Sequence, residues 1–366
     1  MELIDLGLDD WFKNQMNELC SPEQSVARVV AVDRDRLVVH DGSGEFSAEL
    51  LGKFFYGAER ATEFPCVGDW VCLEHHDSED FASIHNVLPR KTLMKRKSSG
   101  YNDEFQLLAA NVDVAFIVMA CDYDFHVRKL ERFLVLVNEG HVEPVLILTK
   151  TDLIDPEELA YLLEGIEDAG IHIKILPLSN VTGDGLMQIK QFMKPKKTYC
   201  LLGSSGVGKT SLMNQLMGSD MFETQIVSAS GEGRHTTVRR HLLMLEQGAM
   251  LVDMPGIREL AIAEVSEGIE ESFEDILAIA LKCRFSNCGH SNEPGCAVVA
   301  AIENDELNIE HYDNYLKIKQ ESVSHKKMSH KASFVEQRKK GKNASRLAES
   351  KTRNKKLKVF DSDLKR

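Results

Sequence analysis

No apolar run in this 366-residue chain approaches the roughly 18 residues of a membrane-spanning helix; the longest, such as AFIVMAC from Ala115, are far shorter. The N-terminus, MELIDLGLDD, lacks a basic cluster ahead of an apolar stretch, so no secretory signal is expected. Cysteine is sparse, eight in the whole chain, which excludes a disulfide-dense scaffold. Three of the eight gather with a histidine near residue 290. The other five, Cys20, Cys66, Cys72, Cys121 and Cys200, sit mostly among apolar neighbours and read as small, reduced core residues. A cytoplasmic protein without membrane contact is expected. Positive charge is in deficit, with 44 Lys and Arg against 57 Asp and Glu, a net of −13. That sign argues against a protein that simply coats nucleic acid.

The remaining composition, 43% apolar and 28% charged, is that of a soluble globular protein. The length predicts two or three domains. The charge is unevenly spread. Residues 317–366 carry 17 basic and 5 acidic side chains, a net of +12, while the other 316 net −25. An acidic body with a basic tail points to a polyanionic partner.

Short β-rich runs at 26–32, 37–40, 45–50 and 70–73, separated by turns such as Asp41-Gly42 and Gly68-Asp69, predict a small β-barrel. Barrels of this size often bind oligonucleotides. From about residue 105, strands (112–120, 144–149, 171–178, 198–202) alternate with helices (127–140, 156–169, 185–193), which predicts a mostly parallel sheet covered by helices. After residue 265 the chain turns helical, passes the cysteine cluster and is helical again over 297–320.

Residues 200–211, CLLGSSGVGKTS, place G-x-x-x-x-G-K-T between a strand and a helix. Backbone N–H groups of Gly203, Ser204, Ser205, Gly206, Val207 and Gly208 can converge on phosphate oxygens, with Lys209 reaching the β/γ-phosphates. The Thr210 hydroxyl, followed by Ser211, suits Mg²⁺. Asp253 ends the apolar run AMLVD and is followed by Gly256, a pair suited to the Mg²⁺ shell and to sensing a γ-phosphate. The strand VLIL ends in Thr149-Lys150-Thr151-Asp152, which resembles the N-K-x-D element of GTPases. A carboxylate there accepts from guanine N1 and N2, a pattern adenine lacks. Thr149 stands where that element has Asn. Ser179 opens SNVTGDG, similar to the S-A-x-x-G loop near guanine O6, with Asn180 in place of Ala.

The base-reading pieces precede the phosphate loop, the reverse of the common order and hence a circular permutation. The segment after Asp253 then leads straight into a C-terminal domain, to which a γ-phosphate-dependent movement would be transmitted. The chain resembles the circularly permuted, small ribosomal subunit-dependent GTPases of the RsgA/YjeQ type. The matching pieces are Val67-Gly68-Asp69-Trp70-Val71, Leu88-Pro89-Arg90-Lys91, Lys95-Arg96-Lys97, Ala110-Asn111-Val112-Asp113, Leu130-Glu131-Arg132, the phosphate loop, Gly233-Arg234-His235-Thr236-Thr237 and Asp253-Met254-Pro255-Gly256, spanning about residues 25–320. The resemblance implies a multidomain α/β protein: an OB-like barrel with its N-terminal segment (1–95), a permuted P-loop GTPase domain (96–264), a helical zinc subdomain (265–322) and a basic tail (323–366).

Cys283, Cys288, His290 and Cys296, spaced C-x4-C-x-H-x5-C, form a closed set suited to structural Zn²⁺. Ile257 occupies the position after D-x-x-G where common GTPases orient water with Gln. His235 is the candidate for that role, which the resemblance supports, and either Thr236 or Thr237 would reach Mg²⁺. Slow intrinsic turnover and strong stimulation by a partner follow. The expected partner is the small (30S) ribosomal subunit and its 16S rRNA, with the protein a monomer hydrolysing GTP to GDP late in subunit maturation. A GTP-gated rRNA-binding module in which hydrolysis is incidental shares every motif; a P-loop kinase or ATPase fits Asp152 less well.

Overall fold

The computed structural model describes residues 1–32, 36–52, 61–76, 81–97, 105–122, 125–218, 240–252, 266–290 and 293–322. Its first unit is a closed five-stranded barrel. Strands β1 (Ser25–Val32), β2 (Leu37–His40), β3 (Glu45–Leu50), β4 (Trp70–His75) and β5 (Phe81–Val87) run in the order β1-β2-β3-β5-β4. Strand β4 returns to β1, with Ser25 opposite Leu73 and Arg28 opposite Trp70. Closure leaves no barrel edge unpaired. Ala27, Val29, Val39, Val71, Leu73 and Ile84 fill the interior. Strand β5 escapes the sequence pattern because its run, FASIHNV, breaks on His85 and Asn86. Helix α1 (Asp10–Leu19) begins where Asp9 accepts from the Phe12 N–H, and it packs Phe12 on Trp70 with ring centroids 5.9 Å apart. Its C-cap, Cys20, forms a disulfide with Cys72 of β4. This corrects the expectation of reduced thiols at those two positions. The expectation does hold for Cys66, Cys121 and Cys200, which are free and buried. Burial pushes all three pKa values up, that of Cys121 to about 11 with Asp122 adding to it.

A basic hairpin, β6 (Leu93–Lys97) and β7 (Phe105–Ala110), leads into the second unit. There β8 (Val114–Ala120), β9 (Glu143–Thr149), β10 (Lys174–Pro177), β11 (Thr198–Leu202), β12 (Arg240–Met244) and β13 (Met250–Val252) form a sheet ordered β10-β9-β8-β11-β13-β12. All pairs are parallel except β12–β13. Helices α2 (Val127–Glu139) and α3 (Pro156–Asp168) bury Leu130, Phe133, Val137 and Ile166 on one face. Helices α4 (Leu186–Phe192) and α5 (Lys209–Met217) bury Ile189, Leu212 and Leu216 on the other. The sequence places α3 well because Asp155, Pro156 and Glu158 form a capping box with proline in the first turn.

The two units share one hydrogen-bonded seam, because β12 pairs with barrel strand β1, Ala31 opposite His241. Arg28 pins that seam from inside. It is 2% exposed, and its guanidinium donates to the carbonyls of Leu6 (2.5 Å), Gly68 (3.2 Å) and Asn111 (3.2 Å) and to Thr198 Oγ1 (2.9 Å). Burial lowers its pKa to about 10, against the pull of Asp113 and Asp69, so it remains charged at neutral pH. The Gly68-Asp69 and Asn111-Asp113 motif pieces therefore build the joint between barrel and sheet.

The third unit is helical: α6 (Ser266–Ser272), α7 (Glu274–Ala280), α8 (Ala297–Glu303) and α9 (309–322). Phe273, Ile276, Val298, Tyr315 and Ile318 share a core with Val135 of α2. Helix α6 crosses α2 so closely that a Cβ on Gly268 would lie 2.2 Å from the Val135 carbonyl oxygen. Among the described residues, no helix is long and apolar enough to cross a membrane.

Candidate nucleotide site and metal cluster

In an open, parallel sheet, ligands gather beyond the carboxyl ends of the strands. The central strand β11 ends at Leu202 and runs into Gly203–Gly208, and α5 starts at Lys209. Gly203, Gly206 and Gly208 have φ of 147°, 81° and 93°, conformations L-side chains resist. Glycine turns of this kind, followed by a helix N-terminus, let backbone N–H groups converge on an anion. The Lys209 ammonium donates to the carbonyls of Gly203 (2.9 Å) and Ser204 (2.5 Å), which holds it over the loop. Thr210 and Ser211 follow in the first turn of α5.

The neighbouring strands bring the residues expected to read the base to the same end. Thr149, the last residue of β9, is fully buried and donates to the Val207 carbonyl at 2.6 Å. Lys150 adopts φ 59° and pairs with Asp122 Oδ2 at 2.8 Å. Thr151 donates its N–H to the Leu178 carbonyl (3.3 Å), which ties this turn to the end of β10. Asp152 accepts from Ser179 Oγ at 2.6 Å, and Ser179 Oγ itself accepts from the N–H groups of Val181 and Thr182. The carboxylate is thus oriented by a hydroxyl that is itself fixed by the backbone. Asp122 escapes motif reading, yet its place just after β8 at the carboxyl end of the sheet is a usable signal. His235, Thr236, Thr237, Asp253 and Gly256 lie outside the described residues.

A model of the RsgA GTPase family matches residues 87–263. The chain is 38% identical over 326 residues to a "Small ribosomal subunit biogenesis GTPase RsgA 2" of Listeria monocytogenes, covering 89% of this chain and 90% of the relative. The chain belongs to the RsgA GTPase family. A Streptomyces coelicolor relative, named "Small ribosomal subunit biogenesis GTPase RsgA", is 35% identical over 87% of this chain and 86% of its own. A second family model, described as a 50S ribosome-binding GTPase, matches residues 198–329. The crystal structure of YjeQ from Thermotoga maritima superposes with a TM-score of 0.61 at 28% identity, covering 82% of this chain and 99% of that one. YloQ, titled a circularly permuted GTPase, gives 0.58 at 25% identity, over 83% and 96%. As an RsgA-family protein the chain is a GTP hydrolase, and its barrel, permuted P-loop sheet and helical end match the fold expected from the sequence.

The cysteine cluster of this RsgA-family chain also converges. The ligand atoms of Cys283, Cys288, His290 and Cys296 all lie within 4.8 Å of one another. His290 Nδ1 is 3.5 Å from both Cys283 Sγ and Cys296 Sγ, and those two sulfurs are 4.0 Å apart. A tetrahedral ion with bonds of about 2.3 Å to sulfur and 2.0 Å to nitrogen needs edges of about 3.8 Å and 3.5 Å. The residues therefore fit a metal ion. The Ala297 N–H donates to Cys283 Sγ at 3.3 Å, a bond that favours the thiolate.

Proposed function

We propose that this GTPase binds the small ribosomal subunit and hydrolyses GTP during late subunit maturation, with the subunit stimulating turnover. The observation that carries this is end-to-end similarity to relatives named for small-subunit biogenesis, 38% identical over 89% of the chain. In this reading Asp152, with Lys150, Thr151 and Ser179, reads guanine. Residues Gly203–Ser211 bind the phosphates, with Lys209 supplying charge to the β/γ oxygens. Thr210 and Asp253, with Thr236 or Thr237, hold Mg²⁺, Gly256 senses the γ-phosphate, and His235 orients the attacking water. The barrel within 1–95, the hairpin lysines and the basic tail 323–366 meet 16S rRNA; 96–264 carries the nucleotide and 265–322 the metal. The protein acts as a cytoplasmic monomer.

GTP turnover should be measured alone, with small subunits and with large subunits. Small subunits are expected to raise kcat by about tenfold or more, as an oriented water and added charge do in other GTPases, and His235→Ala to abolish the stimulation while GTP still binds. Stimulation by large subunits alone would instead favour the 50S-binding description of the second family model. Stimulation by neither would overturn the proposal.

We also propose that the metal is one structural Zn²⁺, since three thiolates and an imidazole suit it and fill all four positions. Cys296 belongs both to the ligand set and to the core of α7, α8 and α9. Chelation is therefore expected to release about one zinc per chain and to strip amide-exchange protection from 266–322, with the phosphate loop left protected. Unchanged exchange after the metal is gone would show that the cluster is not structural.

A further inference from the structure

Thr149 and Asn180, which stand where the N-K-x-D and S-A-x-x-G patterns have Asn and Ala, meet the phosphate loop at adjacent carbonyls. Thr149 Oγ1 lies 2.6 Å from the Val207 carbonyl oxygen and 3.2 Å from that of Met119. A hydroxyl carries a single proton, so it can serve only one of them. Asn180 Nδ2 donates to the next loop carbonyl, that of Gly208, at 3.3 Å. The backbone carbonyl of Asn180 in turn accepts from Gln215 Nε2 of α5 at 2.7 Å. Gly208 lies between the pair: a Cβ built on it would be 2.6 Å from Asn180 Nδ2 and 3.9 Å from Thr149 Cβ.

Asn180 Oδ1, like Gln215 Oε1, is buried with no hydrogen-bond partner among the described residues. A buried, unpaired acceptor is costly, and one retained in a folded protein calls for a reason. The Nδ2 contact to Gly208 supplies one.

We propose that Asn180 is a positioning residue for GTP, acting with Thr149 to lock the base-reading loops onto the phosphate loop. Each residue anchors one of two consecutive carbonyls. The distance between the Asp152 carboxylate and the loop N–H groups is thereby set before nucleotide binds, which lowers the ordering cost of binding. The proposal rests on the reading of Asp152 and Ser179 as the guanine site. Because an asparagine side chain offers two N–H donors where threonine offers one, Thr149→Asn can supply from one side the anchor that Asn180 provides from the other.

The test is a mutant cycle on the full chain, with GTP and GDP dissociation constants, kcat and thermal midpoints measured together. Asn180→Ala is expected to weaken GTP about tenfold, the scale of one lost hydrogen bond, with kcat at saturation unchanged and the midpoint unchanged or higher. Thr149→Asn combined with Asn180→Ala is expected to restore affinity to within about twofold, a coupling that two independent sites would not show. If affinity and midpoint fall together in Asn180→Ala and Thr149→Asn rescues neither, the residue is merely structural and the proposal is overturned. Asp152→Asn, run beside these, separates the failures. If it leaves base preference unchanged, the guanine-site reading falls and the proposal with it. If it shifts base preference while Asn180→Ala leaves affinity within twofold, only the proposal falls.

Discussion

Asp152→Asn is expected to exchange the base this protein prefers. In the function proposed for Asp152, guanine presents N1–H and N2–H to the site, and the carboxylate accepts both. Asp152 is oriented for this by Ser179 Oγ, which donates to Oδ1 at 2.6 Å and is 1% exposed. An amide of the same shape offers one acceptor and one donor, so it clashes with the guanine N2 amine and matches the O2 carbonyl of xanthine. A site built to hydrogen-bond one partner rejects a mismatched one by about 10⁴-fold. GTP affinity is therefore expected to fall by about three orders of magnitude or more, with XTP binding gained. Competition of GTP, ITP and XTP against a fluorescent guanine nucleotide measures both. An unchanged order of preference would mean that the base is read elsewhere.

The second large effect concerns the joint between the helical end and the sheet. His311 of α9 is 5% exposed and Glu131 of α2 is 2% exposed, and His311 Nδ1 is hydrogen-bonded to Glu131 Oε1. On its other side His311 Nε2 is 3.2 Å from Asp275 of α7, and its ring rests 5.1 Å from Phe273. Asn314 Nδ2 serves the second Glu131 oxygen, and Arg132 pairs with Glu321 at 2.9 Å nearby. Burial would lower the His311 pKa. Hydrogen bonds and charge from Asp275 and Glu131 outweigh burial and hold it at about 9, above the ordinary 6.5. A raised histidine contributes its full stability below pH 6.5 and loses it as pH climbs through about 9. Asp275 works at the opposite limit. Burial would raise its pKa, but His311 keeps it low, so its contribution is present above the usual carboxylate range and lost on acidification. Removing His311 leaves the buried Glu131 without that partner, a loss of about 3–5 kcal/mol for a buried pair. His311→Ala is thus expected to cut exchange protection in α7 and α9 at pH 6 and to erase the wild-type decline between pH 6.5 and 9. A variant that keeps the wild-type pH profile would show that another group sets it.

Much of this was legible because it depends on local spacing. The phosphate loop declares itself through glycines at fixed intervals between a strand and a helix. The metal cluster declares itself through four ligand residues close in sequence, and the permutation through motif order alone. Strand β5 and helix α1 are less visible. Their sequences mix polar and apolar residues, and their placement depends on what they pack against, Trp70 in the case of Phe12. The Cys20–Cys72 link is invisible for the same reason: 52 residues separate the two cysteines, and barrel closure brings them together.

The Glu131–His311–Asp275 network joins residues up to 180 apart. Leu130-Glu131-Arg132 could be recognised as a motif, but not as an anchor for the C-terminal helices. Thr149 and Asn180 present the sharpest case. Read along the chain, they are two separate departures from the N-K-x-D and S-A-x-x-G patterns. In three dimensions both contact the Val207–Gly208 turn. By itself the sequence determined the chemistry available: phosphate-cradling glycines, a guanine-matching carboxylate, thiolate ligands and the order in which they enter the sheet. Tertiary structure alone decided which side chains share a hydrogen bond, because such a bond forms only within about 3.5 Å and residues far apart in sequence reach that distance only when strands and helices pack.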